Sequence, residues 1–176
     1  AVREAVEGLE TLRERVLVRA GVEESRIFEA QILMVQDPDF LSGVEHLIRK
    51  NQLSAETAYE FKALELRNLW ASSGSAQLRE RLTDLTAIQR RVVLKLMGQT
   101  EREPWSGTLG EQVIVVAHEL SPGLTVQLDR EHVVGLISEE GTRTSHAAIL
   151  AHSLGIPAVM GVTGALQRVR DGQMIL

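Results

Sequence analysis

The spacing of apolar residues changes character once along this chain, and that change limits the folds open to it. Up to Gly98, apolar side chains recur every three or four positions, the period of an amphipathic helix. Val2, Val6, Leu9, Leu12, Val16 and Leu17 make one stripe, and Ile27, Leu33 and Met34 belong to a second. Asp37-Pro38 interrupts that second helix, because proline disfavours helical backbone in the residue before it. Phe40, Val44, Leu47 and Ile48 resume the pattern. Ser54 is a good N-cap for a further helix running through Tyr59, Phe61, Leu64, Leu66 and Leu69. "SSGS" at 72–75 is a turn, and Leu78, Leu82, Leu85, Ile88, Val92 and Leu96 form a last long stripe. Residues 1–100 are expected to be an antiparallel helical bundle with one broken helix.

Past Gly98 the pattern shortens. "VIVVAHEL" at 113–120, "VVGLIS" at 133–138 and "AVMGV" at 158–162 are β-branched runs bounded by Gly, Pro and Ser, the signature of strands. "SHAAILAHSL" at 145–154 lies between two of them and reads as a helix. The expected architecture is therefore α plus α/β, with a helical domain over 1–100 and a β-rich α/β domain over 101–176. The boundary is placed near residues 98–106, where the polar "GQTEREPWSG" carries Pro and Gly. Trp70 and Trp105 are read as packing at a helix end and at that junction.

Composition excludes several classes of function. A net charge of −5 argues against a nucleic-acid footprint of clustered Lys and Arg. The absence of Cys removes disulfides and thiolate metal sites and fits a reducing compartment such as the cytoplasm. No apolar run approaches the length that spans a bilayer, so no membrane partner is expected.

Chemistry concentrates in "GTRTSHAAILAHSLGIPAVMG" at 141–161. If Thr144 or Ser145 caps the helix, His146 lies in its first turn, where four backbone N–H groups lack helical partners and the dipole favours negative charge. A neutral imidazole there is a nucleophile whose surroundings could receive the charge of a phosphoryl group. Arg143 could add a charge-assisted bond to phosphoryl oxygens, and Gly141 permits close backbone approach. The plain alternative is that Thr144 and Ser145 are ordinary caps and His146 a surface residue. His152, six positions on, does not share the helix face of His146. No Gly-x-Ser-x-Gly elbow supports a Ser-His-Asp triad, and no Cys, His or carboxylate stands at metal-ligand spacing. His118 and His132 lie in strand-like surroundings and are read as structural.

The same stretch resembles the phosphohistidine signature of the phosphoenolpyruvate-utilising enzymes, commonly Gly-Gly-x-Thr-Ser-His-x-x-Ile-x-Ala-Arg-x-x-x-Ile-Pro-Ala-Val-x-Gly. "ELSPGLTVQL" at 119–128 is similar to the family's Leu-Ser/Thr-Pro-x-x-Thr segment. Family members share a swivelling β/β/α domain whose histidine carries phosphate between two distant sites. The resemblance makes His146 that carrier, with Thr125 and Thr144 orienting its ring and Gly141, Arg143 and Ser145 around the phosphoryl group. Three positions depart from the pattern: Thr142 replaces the second Gly, His152 stands where many relatives carry Arg, and Gln31 falls where some carry His.

Within that family, "EESRIFEAQILMVQDPDF" at 23–40 resembles the helical subdomain of the Enzyme I branch of the sugar phosphotransferase system, which docks the small phosphocarrier HPr. The resemblance implies phosphoryl transfer from His146 to a histidine of HPr. Glu29, Leu33, Met34 and Arg81 would form the partner face, Glu29 at its rim and Met34 as an adaptable apolar contact. Phe28 is read as core. The family's barrel, which binds phosphoenolpyruvate and Mg2+, has no counterpart here, nor has its N-terminal strand segment. The chain thus looks like the phosphotransfer portion alone, trimmed at both ends and needing no cofactor of its own. Two other readings remain beside it: a partner-binding module in which His146 is a relic, and a swivelling domain from another phosphoenolpyruvate or pyruvate phosphotransferase.

Overall fold

The computed structural model describes residues 1–99 and 112–175. The expected boundary stretch, with Trp105, lies largely outside them. Two compact units result, one of residues 1–13 and 28–101, the other of residues 14–27 and 102–176. Residues 14–27, which apolar periodicity groups with the helical half, therefore belong to the second unit.

The first unit is helical. Its part of α1 (Val2–Arg19) buries Ala5, Val6, Leu9 and Leu12. α2 (Val22–Val35) contributes Phe28 and Val35, both fully buried. Pro38 does more than interrupt a helix. α2 ends at Val35, Asp37 accepts a hydrogen bond from the Phe40 N–H at 2.7 Å, and Pro38 opens α3 (Pro38–Asn51). Proline suits that first turn because its missing N–H would have no partner there. α4 (Ala55–Ser72) starts at the expected Ser54 cap and packs against α3, with Phe40 meeting Tyr59 edge to face at 5.1 Å.

One expectation for this unit needs correction, and one pattern resolves only in the structure. The last stripe is not one helix: α5 (Ala76–Glu80) and α6 (Leu82–Leu96) are separated at Arg81. The apolar residues of α4 do not form one buried face. Phe61 and Leu64 are half exposed and Leu69 is 64 % exposed, whereas Ala58, Tyr59 and Ala63 are buried. Residues 59, 63, 66 and 70 follow the helical period, and 61 and 64 project elsewhere. Between helices, buried Gln31 donates from Nε2 to Asp84 Oδ1 at 2.8 Å. A neutral amide thus occupies position 31, which the resemblance marks as a departure from the family's pattern.

The second unit is built on a three-stranded parallel sheet in the order β1 (Val113–Ala117), β2 (Val133–Ser138), β3 (Ala158–Met160). Parallel neighbours need crossovers. A short helix α7 (Pro122–Thr125) lies in the first crossover and α8 (His146–Ser153) in the second. A register shift between Val113 and Ile114 sets Ile114 opposite Gly135, after which Val115 pairs with Leu136. Val115 and Leu136 are buried together with Leu150 and Ala151 of α8. Two bonds tie residues 14–27 into this unit: Arg19 Nη1 donates to the Val126 carbonyl at 3.2 Å, and Ser153 Oγ donates to Glu24 Oε1 at 2.7 Å. A final turn, α9 (Ala165–Arg168), packs against β1.

Candidate functional site: a histidine at the first turn of α8

All strands of a parallel sheet end on the same edge, and in open α/β folds ligands bind outside those carboxyl ends. The loop from β2 to α8 leaves that edge. Glu139 N–H donates to the Ala117 carbonyl at 3.0 Å, Glu140 N–H to the His118 carbonyl at 2.8 Å, and Ser138 Oγ to the same His118 carbonyl at 3.2 Å. Val162 N–H, just past β3, donates to the Ser138 carbonyl at 3.0 Å. The ends of all three strands are thus bound together where the loop begins.

The loop then turns at Gly141, whose φ of 99° lies in the region that L side chains avoid. The departure at position 142 is harmless by the same measure. Among the described residues Gln52 is the only non-glycine with positive φ, so Thr142 has ordinary backbone. Its Oγ1 lies 3.1 Å from Thr144 Oγ1, and its carbonyl accepts from the Ser145 N–H at 3.0 Å. Gly141→Ala should therefore cost roughly 1–3 kcal/mol, whereas Thr142→Gly should stay within about 1 kcal/mol of the parent. Urea denaturation of the two variants checks this.

Of the two possible caps, the structure uses Ser145. Its Oγ accepts from the Ala148 N–H at 3.3 Å, and His146 is the first residue of α8, with an exposed side chain. The backbone N–H groups of His146 and Ala147 have no partner within the helix. Arg143 and Thr144 are exposed beside them. Thr125, by contrast, is fully buried, and its hydroxyl donates to the Ser121 carbonyl at 2.9 Å. Its proton is spent, so its oxygen can act towards an imidazole only as an acceptor. Among the described residues no hydrogen bond joins Thr125 or Thr144 to the His146 ring. His152 is exposed in the last turn of α8.

His118 and His132 are exposed or half exposed, each with a carboxylate beside its ring. His132 Nδ1 lies 2.8 Å from Asp129 Oδ2, and His118 Nδ1 lies 2.8 Å from Glu139 Oε2. The hydrogen bond to Glu139 raises the His118 pKa above its ordinary 6.5, with Glu140 and Glu119 adding to it; reciprocally the bond lowers that of Glu139. Sequence reading missed this pair, because its members stand 21 residues apart and join only when β1 and β2 align. Among the described residues no group of three or more His, Asp or Glu side chains could hold a metal.

In the first unit, the expected partner residues are distributed over α2 and the α5–α6 junction. Glu29 and Arg81 are exposed, Leu33 is 71 % exposed, and Met34 is partly buried. Met34 lines a cleft of about 500 Å³ with Phe40, Tyr59, Leu66, Leu69 and Trp70; Asp37 and Asp39 line it too, and its Glu65 is paired with Lys62 at 2.9 Å. The contribution of α4 was not anticipated from sequence, where its apolar residues gave a helical period and no function.

Comparison with known proteins assigns both parts of the chain to one family. Residues 1–81 match the family model described as PEP-utilising enzyme, N-terminal, and residues 109–176 match PEP-utilising enzyme, mobile domain. The chain belongs to the phosphoenolpyruvate-utilising enzyme family, in its Enzyme I branch. Similar relatives include the phosphoenolpyruvate-protein phosphotransferases of Geobacillus stearothermophilus, 33 % identical over 176 residues, and of Bacillus subtilis (strain 168), 34 % identical over 176 residues. Each alignment covers 100 % of this chain and 30 % of the relative, so the chain spans under a third of their length. A solution structure of Enzyme I (nEIt) superimposes with a TM-score of 0.71 at 32 % identity, covering 96 % of this chain and 67 % of that one. The N-terminal domain of Enzyme 1 - Nitrogen gives 0.60 at 27 % identity, covering 91 % and 64 %. Among the described residues no helix is long and apolar enough to cross a membrane.

Proposed function

We propose that this chain is the phosphohistidine and carrier-docking portion of a phosphoenolpyruvate-protein phosphotransferase, acting in the cytoplasm. His146 accepts a phosphoryl group and exchanges it with a histidine of an HPr-like phosphocarrier. The observation that carries the reading is the position of His146: an exposed imidazole in the first turn of α8, beyond the carboxyl edge of a parallel sheet, inside the family's signature. In transfer from the carrier, a ring-nitrogen lone pair of His146 forms the new N–P bond. The old N–P bond breaks, and its electron pair returns to the carrier's imidazole. Little else is required of the protein beyond in-line positioning and stabilisation of the equatorial oxygens. The open N–H groups of His146 and Ala147, with Arg143, supply that stabilisation. Phosphoenolpyruvate and Mg2+ would be held by the separate barrel.

The partner face is assigned to α2 and the cleft beside it. Exposed Glu29, Asp37 and Asp39 suit a basic carrier, and Leu33, Met34 and Leu69 offer apolar area at the centre. A shuttle must release its partner after each transfer, which calls for a small interface. Glu29→Lys should slow association and weaken its salt dependence, since rim charges act mainly on encounter. Leu33→Ala and Met34→Ala should instead speed dissociation. Stopped-flow binding of HPr at two salt concentrations separates these effects; unchanged kinetics in all three variants would move the docking face elsewhere. Incubation with radiolabelled phospho-HPr tests the reading as a whole. Acid-labile label should appear on the chain, and none should come from phosphoenolpyruvate and Mg2+ alone. The rival reading of a non-catalytic module drew on Thr142 and His152; Thr142 has ordinary backbone, and His152 is exposed in the last turn of α8, so the labelling experiment separates the two readings.

A further inference from the structure

Glu139 begins the loop that presents His146, and its carboxylate is engaged twice. Oε2 meets His118 Nδ1 at 2.8 Å, beyond the end of β1, and Oε1 accepts the Leu166 N–H at 3.1 Å, in the first turn of α9. Its backbone N–H is bonded to Ala117 as well. The side chain is only 14 % exposed, although His118 is 67 % exposed. A carboxylate is an awkward choice at the start of a loop that must present a phosphoryl dianion, since like charges repel. Glu140 and Glu119 add to the negative charge facing the pair. A cationic His118 offsets it.

On the reading that His146 carries the phosphoryl group, we propose that Glu139 is a positioning residue for that group. It pins the base of the β2–α8 loop to β1 and α9, and His118 neutralises it so that the pinning does not repel phosphate. His118 is thereby a charge partner of the transfer site without touching the transferred group. The pairing raises the His118 pKa, so its cationic form is present below the ordinary 6.5 and is lost as pH rises through the raised value. Glu139 is lowered and stays ionised throughout that range. The offset therefore fails on the alkaline side, and phosphoryl exchange should slow there.

The test uses the 176-residue chain and phospho-HPr, with exchange rates followed from pH 6 to 9 (about neutral to mildly alkaline, spanning the His range). The parent should show a fall in rate that tracks the His118 ring titration, read separately by NMR of 15N-labelled histidine. His118→Gln should lose that step while keeping the carrier's own pH dependence. Glu139→Gln retains an acceptor for Leu166 but should move the His118 titration down towards its ordinary position, with the contribution of Glu140 and Glu119 remaining. Glu139→Ala, which loses both ties, should slow exchange by roughly tenfold to a hundredfold. A parent profile identical to that of His118→Gln, or an undiminished rate in Glu139→Ala, would overturn the proposal while leaving His146 as the carrier. A parent that takes up no label at all would overturn the underlying reading, and this proposal with it.

Discussion

Replacing His146 with Ala should reduce labelling by phospho-HPr to background while the chain stays folded. The imidazole is exposed, so its removal leaves no cavity, and Ala is the best helix former for the first position of α8. The Ser145 cap on Ala148 does not involve the ring and should persist. Stability should change by no more than about 0.5 kcal/mol, whereas the nucleophile is lost outright. The chain has 5 histidines, and the other four are poorly placed to substitute. His152 lies at the opposite end of α8, where the dipole is unfavourable to phosphate. His118 and His132 have Nδ1 bonded to carboxylates, and His46 lies on α3 in the helical unit. Acid-labile counts on the variant, with circular dichroism as the control for folding, decide the matter. Full labelling of His146→Ala would place the nucleophile elsewhere.

A second large effect is expected from Phe28→Ala, and it should be one of stability. Phe28 is fully buried in the helical unit. Truncating it removes both the transfer energy of the ring and the packing around it, a loss of about 3–5 kcal/mol. Domains are stable by only about 5–15 kcal/mol, so the variant should unfold at markedly lower urea and lose carrier binding with its α2 surface. Leu33, five positions away on the same helix and 71 % exposed, is the natural contrast. Leu33→Ala should alter stability by no more than about 0.5 kcal/mol and act on carrier dissociation alone. Paired urea titrations of the two variants check this; equal stabilities would mean that α2 is packed differently.

The features legible in sequence were those set by local chemistry. Ser54 and Ser145 cap helices because a hydroxyl one position before the first turn meets free N–H groups whatever the tertiary fold. Asp37-Pro38 marked a boundary for an equally local reason, and Val6, Leu9, Leu12 and Val16 were recognisable as core from their period alone. Three kinds of feature were hidden. Leu17, Phe61 and Leu64 continue an apolar pattern yet stand at least 45 % exposed, since hydrophobicity says nothing of whether a neighbour covers a face. The break at Arg81 has neither Pro nor Gly to announce it. The remaining features are bonds between distant residues. Arg19 with Val126 and Glu24 with Ser153 draw residues 14–27 into the second unit, and Glu139 with His118 exists only once two strands pair. The site itself divides in the same way. Gly141, Arg143, Thr144, Ser145 and His146 stood out as candidates because they are consecutive or nearly so, and Thr125 was reached through the resemblance alone.

The central claim, that His146 is the residue on which phosphate rests, is tested most directly by NMR on chain carrying 15N-labelled histidine after equilibration with phospho-HPr. A 31P resonance in the phosphoramidate range should appear on the chain and couple to a ring nitrogen of His146 and to no other histidine. Phosphorus coupled to a different histidine, or a chain that equilibrates with phospho-HPr and acquires no phosphoramidate signal, would contradict the account.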